Sequence, residues 1–518
     1  MSSELLLAID AGTGSCRAVL FASDGRQVAV SQREWVHVEP EGVPGGQEFD
    51  VEVNWQLIVE CIKEAMAHAN ARAQDIRAVS STSMREGIVL YGKDGEELWA
   101  CPNVDSRAGD EARQLVEEGL AEKIYRESGD WVSITSTARL LWLARHRRDI
   151  IDQVTSLGML SDWILFRLSG EKSTEPSCGS SSGMFDLAKR TWSTSITNLV
   201  GLDANVLPAV VPSGTVVGKV SAEASRQTGL SPGTFVVAGG ADTQLGLLGA
   251  GITPGEYTVV GGTFWQSAML LNEPLIDPEM RLRTLCHVLD GQWMIEGIGF
   301  YCGMAMRWCR DAFWPTETAR ALEEGLDPYT LMESAAAACA PGSNGVLAIM
   351  SNLMNAKHWT HASPSFLQFD VTNPAGSGRG ACVRALEEAA AYVARGHRDI
   401  IGSLTALPGD VIFTGGAAKG SLWPQLMADV LGAPVHVPAV IESSALGAAI
   451  CAGTGVGIFS SLEENREQLR QWQRTFEPSR GAASTYDGLY DHWTRVYAKM
   501  LQLSDEGLLK PLWRAADA

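Results

Sequence analysis

The sequence predicts two α/β domains with a ligand-binding cleft between them. Its 518 residues exceed what a single hydrophobic core usually organises. Short apolar runs alternate with amphipathic helical patterns, as in sheets that are covered by helices. Four of these runs end directly in a turn of small residues, where a ligand can approach the backbone closely. We expect the boundary near residues 249–251, which divides the chain into domains 1–249 and 250–518.

The first domain is predicted to start with a run of strands followed by a helix. Asp24-Gly25 predicts a hairpin turn between the second and third strands. Apolar residues at helical spacing, such as Ile58 and Ile62, indicate the helix. We expect strands at residues 5–9, 17–22, 27–35, 78–83, 87–91 and 235–238, and a helix at residues 54–69.

The second domain is predicted to repeat the strand, glycine turn and strand that open the first. The echo is short, so chance is an alternative to two related halves. Gly432 follows a helical pattern and is a plausible C-cap. We expect strands at residues 257–260, 266–271 and 411–414, and helices at residues 380–395 and 422–431.

Composition and charge exclude several function classes. The net charge of −20 argues against nucleic acid or an anionic membrane as the main partner. The ten cysteines form no C-x-x-C pair, so we expect free thiols in a reducing cytoplasm. The first residues do not resemble a signal peptide. The uncharged stretch at residues 443–462 is rich in Gly, Ala and Ser and indicates tight packing, not a membrane span.

Two aspartates at the ends of apolar runs are the strongest candidates for chemistry. Asp242 follows residues 235–238 on a glycine-rich turn, where a carboxylate is costly unless it meets water, a metal or a substrate. It is a candidate catalytic base. Asp10 precedes a turn of Gly, Thr and Ser whose amides suit a phosphate, and it could hold Mg²⁺. Thr263 could touch a γ-phosphate from the opposite side.

Charged residues near the next strand end form a candidate substrate clamp. Arg85 could donate to hydroxyl or carbonyl oxygens, and Glu86 could accept from hydroxyls. Two solvated surface charges are the alternative. Asn103, Asp105 and Arg107 form a second polar cluster with the same two interpretations.

Other motifs are absent or lack the required context. There is no G-x-x-x-x-G-K-[ST] phosphate loop, and the turn after Asp10 lacks the third glycine of a dinucleotide fingerprint. Residues 179–183 match the hydrolase pattern G-x-S-x-G, but a polar segment precedes them, so we expect a polar loop. His358 and His361 have a metal-like spacing without a third ligand, and we expect loop residues, one of them near substrate.

Taken in order, these segments resemble the FGGY carbohydrate kinase family of the actin-like ATPase superfamily. The resemblance covers nearly the whole chain and implies two actin-like (ribonuclease H-like) α/β domains with an ATP/substrate cleft. Residues 10–15 resemble the first phosphate motif, 139–143 the first family signature, and 261–264 the second phosphate motif. Residues 415–423 and 442–449 resemble the adenosine motif and second signature.

The resemblance implies a role for each of the matching residues. The implied catalytic base is Asp242, and the implied ligands of Mg²⁺ are Asp10 and Asp242. The implied substrate-binding residues are Arg85, Glu86, Asn103, Asp105, Asp242 and Gln244. The implied ATP-binding residues are Gly12, Thr13, Gly14, Ser15, Gly262, Thr263, Gly415, Gly416 and Lys419.

Finer segments resemble one branch of the family, including residues 83–91, 103–107, 262–266 and 306–313. This implies ATP-dependent phosphorylation of the primary hydroxyl of linear 4,5-dihydroxy-2,3-pentanedione, a bacterial signal, and contact with the phosphocarrier protein HPr. Another sugar or polyol kinase, of the pentulose or glycerol type, is the nearest alternative. An actin-like or chaperone-like ATPase switch and a catalytically silent sugar-binding regulator are further alternatives. The sequence is compatible with a monomer or a homodimer.

Overall fold

The computed structural model describes residues 4–350, 353, 361–440 and 442–511. The strands up to residue 249 are β1 (Leu5–Ala11), β2 (Ser15–Ala22), β3 (Gln27–Glu34), β4 (Ile76–Ser83), β5 (Ile88–Tyr91), β6 (Glu97–Cys101), β7 (Ser156–Met159), β8 (Ser173–Thr174), β9 (Phe185–Asp186), β10 (Thr191–Trp192), β11 (Ala209–Val210), β12 (Val216–Lys219) and β13 (Phe235–Ala241). The helices of this part are α1 (Val51–His68), α2 (Gly109–Glu117), α3 (Leu120–Ser128), α4 (Ser136–His146), α5 (Arg148–Ile151), α6 (Leu160–Ser169), α7 (Pro176–Ser180), α8 (Thr194–Leu199), α9 (Ala222–Thr228) and α10 (Asp242–Gly249).

The rest of the chain adds a second set of strands and helices. Its strands are β14 (Tyr257–Gly261), β15 (Trp265–Leu271), β16 (Arg283–Cys286), β17 (Trp293–Gly299), β18 (Leu347–Ile349), β19 (Ser365–Leu367), β20 (Val411–Thr414), β21 (Val435–Pro438) and β22 (Trp472–Phe476). Its helices are α11 (Cys302–Phe313), α12 (Pro315–Glu323), α13 (Pro328–Ala337), α14 (Arg379–Leu404), α15 (Leu422–Leu431), α16 (Ser443–Gly455), α17 (Leu462–Leu469) and α18 (Ala482–Asp505).

Two large mixed sheets share one local pattern. In the first, ordered β12-β13-β4-β1-β2-β3, strand β1 pairs antiparallel with β2 and parallel with β4. In the second, ordered β16-β17-β15-β14-β20-β21-β22, strand β14 pairs antiparallel with β15 and parallel with β20. The two glycine turns of the predicted echo therefore occupy equivalent places, one after β1 and one after β14. The mixed α/β class predicted from the sequence is confirmed.

Helices α10 and α16 cross between the two sheets and contact each other closely. A Cβ added to Gly249 would meet the Ser443 carbonyl oxygen at 2.1 Å, and one added to Gly447 would meet the Leu245 carbonyl oxygen at 2.1 Å. Helix α16 packs on the first sheet, although it comes late in the chain. Its buried side chains share a cluster with Leu6, Ala8 and Val19.

Most predicted elements are confirmed, and two expectations are wrong. Strand β20 and helix α15 have the predicted bounds, and Gly432 caps α15 with a φ of 60°. Helix α14 does not stop at residue 395 but continues through Gly396 to Leu404. Residues 176–180 form the short helix α7 and are buried, so the polar loop expected at 179–183 is instead a buried helix end and turn.

Candidate active site

The candidate site lies where parallel strands end side by side. Strands β1, β4 and β13 are parallel neighbours, so their carboxyl ends meet at one edge of the first sheet. Asp10 lies near the end of β1, Arg85 and Glu86 follow β4, and Asp242 follows β13. Strands β14 and β20 likewise bring their following turns together in the second sheet.

The turns of the two sheets are also linked to each other. A Cβ on Gly415 would meet the Gly261 carbonyl oxygen at 2.7 Å, so the turns after β14 and β20 are in direct contact. Ser444, at the start of α16, donates its hydroxyl proton to the Asp242 carbonyl oxygen at 2.9 Å. The crossing helices therefore connect Asp242 to the half of the chain that carries the second and third turns.

Asp242 combines access with an environment that favours the protonated carboxyl. Its side chain is 34% exposed, and its Oδ1 accepts a hydrogen bond from the Thr243 amide at 2.6 Å. Burial of the group raises its pKa above the ordinary value, although Arg85, whose Nε is 4.0 Å from Oδ1, opposes that shift. A carboxylate with a raised pKa beside a cationic group can take a proton from a bound hydroxyl.

Asp10 is a buried carboxylate surrounded by other acidic groups. Burial raises its pKa to about 7, with further raising contributions from Asp242 and Glu442, while Arg17 at 3.7 Å lowers it. A divalent cation would relieve this repulsion. No group of three or more metal-ligating side chains occurs in the described part of the chain. Asp10 and Asp242 therefore fit Mg²⁺, which usually takes one or two carboxylates and completes its shell with water and phosphate oxygens.

Arg85 and Glu86 are not solvated surface charges, since each is only 6% exposed. They belong to a charge cluster that joins both halves of the chain. Arg85 donates through Nη1 to Glu296 Oε1 at 2.5 Å, and Arg283 donates to Glu86 Oε1 at 2.7 Å and to Glu296 Oε1 at 2.6 Å. Asp130 Oδ2 lies 3.3 Å from Arg283 Nη1, and burial raises the pKa of Asp130 to about 6.

Glu86 adopts a strained backbone conformation within this cluster. Its φ is 62°, a region that non-glycine residues seldom occupy. Such strain persists where surrounding contacts hold the residue, and it is frequent at functional sites. Arg283 and the hydroxyl of Ser181, which accepts from the Glu86 amide at 3.3 Å, provide those contacts.

The remaining predicted substrate residues occupy two different environments. Asn103 Nδ2 donates to the Thr13 hydroxyl at 3.0 Å, which places it beside the first turn. Asp105 is held by Arg107 at 2.8 Å and by the Gln47 amide at 2.7 Å. Gln244 is fully buried, and its Nε2 donates to the Cys286 carbonyl oxygen at 3.3 Å.

Some glycines of the turns are not required by the chain itself. Among described atoms, none lies within 4 Å of a Cβ built on Gly14, and only the Gly261 carbonyl oxygen, at 4.0 Å, approaches one on Gly416. Neither residue has a positive φ. Gly415 differs, with a φ of 90° and a close approach to Gly261. Glycine at 14 and 416 is therefore best explained by the close approach of a ligand.

A cavity of about 450 Å³ adjoins the second and third turns. Thr263, Gly416 and Lys419 line it together with Trp423, so residues predicted for ATP binding meet at one cavity. Glu387 also lines it, and burial together with the nearby Glu333 raises the pKa of Glu387 well above the ordinary value. The volume lies within the range of typical small-ligand pockets.

Serines 177 and 180 form hydrogen bonds with backbone amides next to the site. Ser177 Oγ accepts from the Ala241 amide at 2.9 Å, directly before Asp242. Ser180 Oγ accepts from the Cys286 amide at 3.1 Å.

Of the two histidines with metal-like spacing, the structure describes one. His361 is buried with its ring 4.7 Å from the ring of Phe300, and burial lowers the pKa of His361 to about 3. His358 lies outside the described residues.

Sequence reasoning missed Asp130, Arg283, Glu296 and the serine support. The three charged residues carry no motif, and 211 positions separate Arg85 from Glu296. One signal could have found them: the sequence near Arg85 and Glu86 offers no evident charged partner, which indicates that their partners come from distant segments. The serines lie in or next to residues 179–183, where the polar segment that precedes them led us to expect a polar loop.

Family comparisons agree with this architecture. A model of the FGGY family of carbohydrate kinases, N-terminal domain, matches residues 5–249, and the C-terminal domain model matches residues 258–456. The chain belongs to the FGGY family of carbohydrate kinases, and it is a phosphotransferase with an alcohol acceptor. It is 44% identical over 519 residues to the autoinducer-2 kinase of Escherichia coli (strain K12), covering 99% of this chain and 98% of that protein. The autoinducer-2 kinase of Photorhabdus laumondii is 43% identical with the same coverage.

Solved structures show the same fold. A xylulose kinase from Rhodospirillum rubrum has a TM-score of 0.83 and 27% identity, covering 96% of this chain and 99% of its own. A gluconate kinase from Lactobacillus acidophilus has a TM-score of 0.85 and 19% identity, covering 97% and 99%. Within the described residues, no helix has both the length and the apolar character needed to cross a membrane.

Proposed function

We propose that this kinase transfers the γ-phosphoryl group of ATP to the primary hydroxyl of autoinducer-2 in its linear form, 4,5-dihydroxy-2,3-pentanedione. The support for the substrate is the 44% identity to proteins named autoinducer-2 kinase along nearly the full length of both chains. The support for the chemistry is the position of Asp242, an accessible carboxylate that follows β13 beside Arg85. Residues 1–249 and 250–518 are the proposed domains on either side of the site.

Asp242 is the proposed catalytic base. Its carboxylate accepts the proton of the attacking hydroxyl as that oxygen forms a bond to the γ-phosphorus. The bond between the γ-phosphorus and the β–γ bridging oxygen breaks, and ADP leaves with that oxygen. Burial raises the pKa of Asp242 and so strengthens its affinity for the transferred proton, while the Arg85 charge opposes that rise.

The three turns are the proposed phosphate and nucleotide contacts. Amides of residues 13–15 and of Thr263 bind phosphate oxygens. The amides of Gly12 and Gly262 donate to the Ser15 and Val260 carbonyl oxygens, at 2.9 and 3.2 Å, so these two glycines serve the close approach of the phosphates. Gly415, Gly416 and Lys419 bind the nucleoside side of ATP. Mg²⁺ near Asp10 and Asp242 would neutralise phosphate charge. Arg85 and Glu86 bind acceptor oxygens, together with Asn103, Asp105 and Gln244.

The setting of the reaction follows from the same proposal. The ten cysteines are free thiols, as expected in the cytoplasm, where ATP is supplied.

HPr remains a proposed protein partner, and a pull-down with purified HPr tests it. Mass measurement in solution distinguishes a monomer from a homodimer.

The deciding experiment measures ADP release by the purified protein with ATP and Mg²⁺. Dihydroxypentanedione, xylulose, ribulose and glycerol are compared as acceptors, with Asp242→Asn as the matched control. We expect strong stimulation by dihydroxypentanedione alone, and a loss of about 10²- to 10⁴-fold in turnover for Asp242→Asn with ATP binding retained.

Other outcomes have distinct meanings. Stimulation by a sugar in place of dihydroxypentanedione would overturn the substrate and leave the mechanism standing. ADP release that ignores every acceptor would favour an ATPase switch. Turnover of Asp242→Asn near the wild-type rate would contradict the role of Asp242.

A further inference from the structure

The segment after β3 presents two side chains to the first turn. In residues 35–38 the side chains alternate, as they do in an extended chain. Val36 is 87% exposed and Val38 is 50% exposed. Trp35 is buried and His37 is half-buried, and both rings pack against Phe49, with centroid distances of 5.2 and 6.1 Å.

These two side chains bind the carbonyl oxygens of the turn. Trp35 Nε1 donates to the Gly12 oxygen at 3.1 Å and to the Thr13 oxygen at 3.2 Å. His37 Nε2 lies 2.7 Å from the Thr13 oxygen, and because a carbonyl can only accept, His37 carries its proton on Nε2. The backbone amide of Trp35 donates to the Gly14 oxygen at 3.2 Å.

Three successive carbonyl groups are therefore directed toward the same segment. In a planar trans peptide the C=O and the following N–H point in opposite directions. The N–H groups of Thr13, Gly14 and Ser15 are thus directed away from Trp35 and His37. Gly14 is exposed, and Thr13 and Ser15 are half-buried, so the turn is accessible to a ligand.

We propose that Trp35 and His37 are positioning residues that orient the amides of residues 13–15 toward the β- and γ-phosphates of the nucleotide. This inference rests on the proposed function, since it assigns residues that act through the first phosphate turn. The neutral state of His37 agrees with it, because burial lowers the pKa of His37 despite its bond to Thr13. Successive amides that point one way form an anion-binding concavity.

The predicted effect is confined to the phosphates. Without one of the two donors, the turn is free to rotate a carbonyl toward the anion, while the adenosine contacts at residues 415–419 are unchanged. Trp35→Phe keeps an aromatic ring against Phe49 and removes Nε1–H. His37→Phe keeps a ring and removes Nε2–H, and His37→Gln restores an amide donor at a similar reach.

The experiment measures the affinities of ATP and of adenosine by calorimetry for the full-length wild type and each variant, together with Tm. We expect Trp35→Phe and His37→Phe each to weaken ATP binding by about 2- to 10-fold, the range of one hydrogen bond, with adenosine affinity unchanged. His37→Gln should return to within about 2-fold of the wild type. Val36→Ala, on the exposed face of the same segment, is the matched control and should bind both ligands normally.

The outcomes separate this inference from the proposed function. A wild type that binds neither ligand would overturn both. Suppose that the wild type binds ATP and the folded variants keep the wild-type ratio of ATP affinity to adenosine affinity. That result would overturn the positioning role alone. A parallel fall in both affinities would also overturn it, because a general loss of structure does not distinguish the phosphates. If one variant fails to fold, the other still decides the question.

Discussion

At the scale of single residues, Glu296 connects the second sheet to the predicted substrate clamp. Its carboxylate is fully buried between Arg85 and Arg283. Burial by itself would raise its pKa, but the two arginines more than offset this, so the pKa of Glu296 is lowered. Arg283 in turn holds Glu86 in its strained conformation. The clamp therefore depends on a residue that need not touch the substrate.

We predict that Glu296→Gln lowers kcat/KM for the acceptor at least 10-fold with a smaller change in KM for ATP. A neutral amide removes the carboxylate that the two buried guanidinium groups share, and Glu86, Asp130 and Asp242 compensate them only in part. Breaking a buried pair costs about 3–5 kcal/mol. Steady-state kinetics and Tm measure the two effects. Glu279→Gln, which breaks an exposed pair with Arg281, is the control. Wild-type acceptor kinetics in a folded Glu296→Gln would show that the cluster does not position the clamp.

Asp162 gives a pH prediction that is separate from catalysis. Its Oδ2 accepts from the Met159 amide at 2.9 Å and from the Thr174 hydroxyl at 2.7 Å, and burial raises its pKa to about 7. The folded state thus binds the proton more tightly than the unfolded state. This stabilising contribution is present at low pH and is lost as pH rises toward 7, by up to about 1.4 kcal/mol per pH unit.

We predict that Asp162→Asn flattens this dependence. The difference in Tm between variant and wild type should grow in favour of the variant from pH 5 to pH 8, because an amide cannot ionise. Asp24→Asn in the exposed hairpin turn should show no such trend. A Tm difference that stays constant with pH would contradict the raised pKa.

At the scale of elements, the glycines of the candidate turns fall into two groups, according to the space around them. Gly14 and Gly416 have room for a side chain, whereas Gly415 does not. We predict that Gly14→Ala and Gly416→Ala keep the wild-type Tm and weaken ATP binding, because a methyl group would occupy space that the ligand needs. Gly415→Ala should lower Tm, since its φ of 90° is strained for alanine. Calorimetry and thermal unfolding report both quantities.

A Gly14→Ala variant with wild-type ATP affinity would remove the argument that glycine serves the ligand at that position. A Gly415→Ala variant of unchanged Tm would show that the contact between the two turns adapts. The pair of outcomes distinguishes turns shaped for the ligand from turns shaped for the fold.

The sequence predicted the bounds of an element correctly where the residues of that element alone determine them. Strand β20 is a pure apolar run, and α15 has an apolar face and a glycine cap, so both bounds are correct. The helix predicted at residues 380–395 is shorter than α14, which continues through Gly396 to Leu404. A Cβ on Gly396 would meet Leu353 at 2.3 Å, so that glycine serves tight packing.

Polarity misled the prediction at residues 179–183. Ser180, Ser181 and Ser182 donate to the carbonyl oxygens three residues earlier, at 3.2, 2.8 and 2.6 Å. Their hydrogen bonds are satisfied within the segment, which allows burial. Asp10 and Asp242 were found because an apolar run precedes each. Arg283 and Glu296 were not, because only the assembled sheets bring them to Arg85.

At the scale of the whole molecule, the crossing of α10 and α16 joins the two sheets. Glycines 249 and 447 let the helix backbones approach closely, and each helix packs on a sheet of the opposite half of the chain. We expect the cleft to close around its ligands, which requires the sheets to turn relative to each other while this crossing stays in contact.

We predict that Gly447→Ala lowers Tm and kcat together, because its Cβ would meet the Leu245 carbonyl oxygen at 2.1 Å and force the helices apart. Overpacking of this kind costs about 1–3 kcal/mol. Gly488→Ala, in an open position of α18, is the matched control and should raise Tm slightly. An unchanged Tm in Gly447→Ala would mean that the helices separate without cost.

The late position of α16 also matters during synthesis on the ribosome. The face of the first sheet that carries Leu6, Ala8 and Val19 gains the cover of α16 only when residues 443–455 have emerged. At ordinary translation speeds, the nascent chain exposes this apolar face for on the order of 10 to 40 s after residue 249 appears. A growing chain with such a surface is a natural client for chaperones, and a fragment that stops at residue 249 would aggregate where the full chain folds.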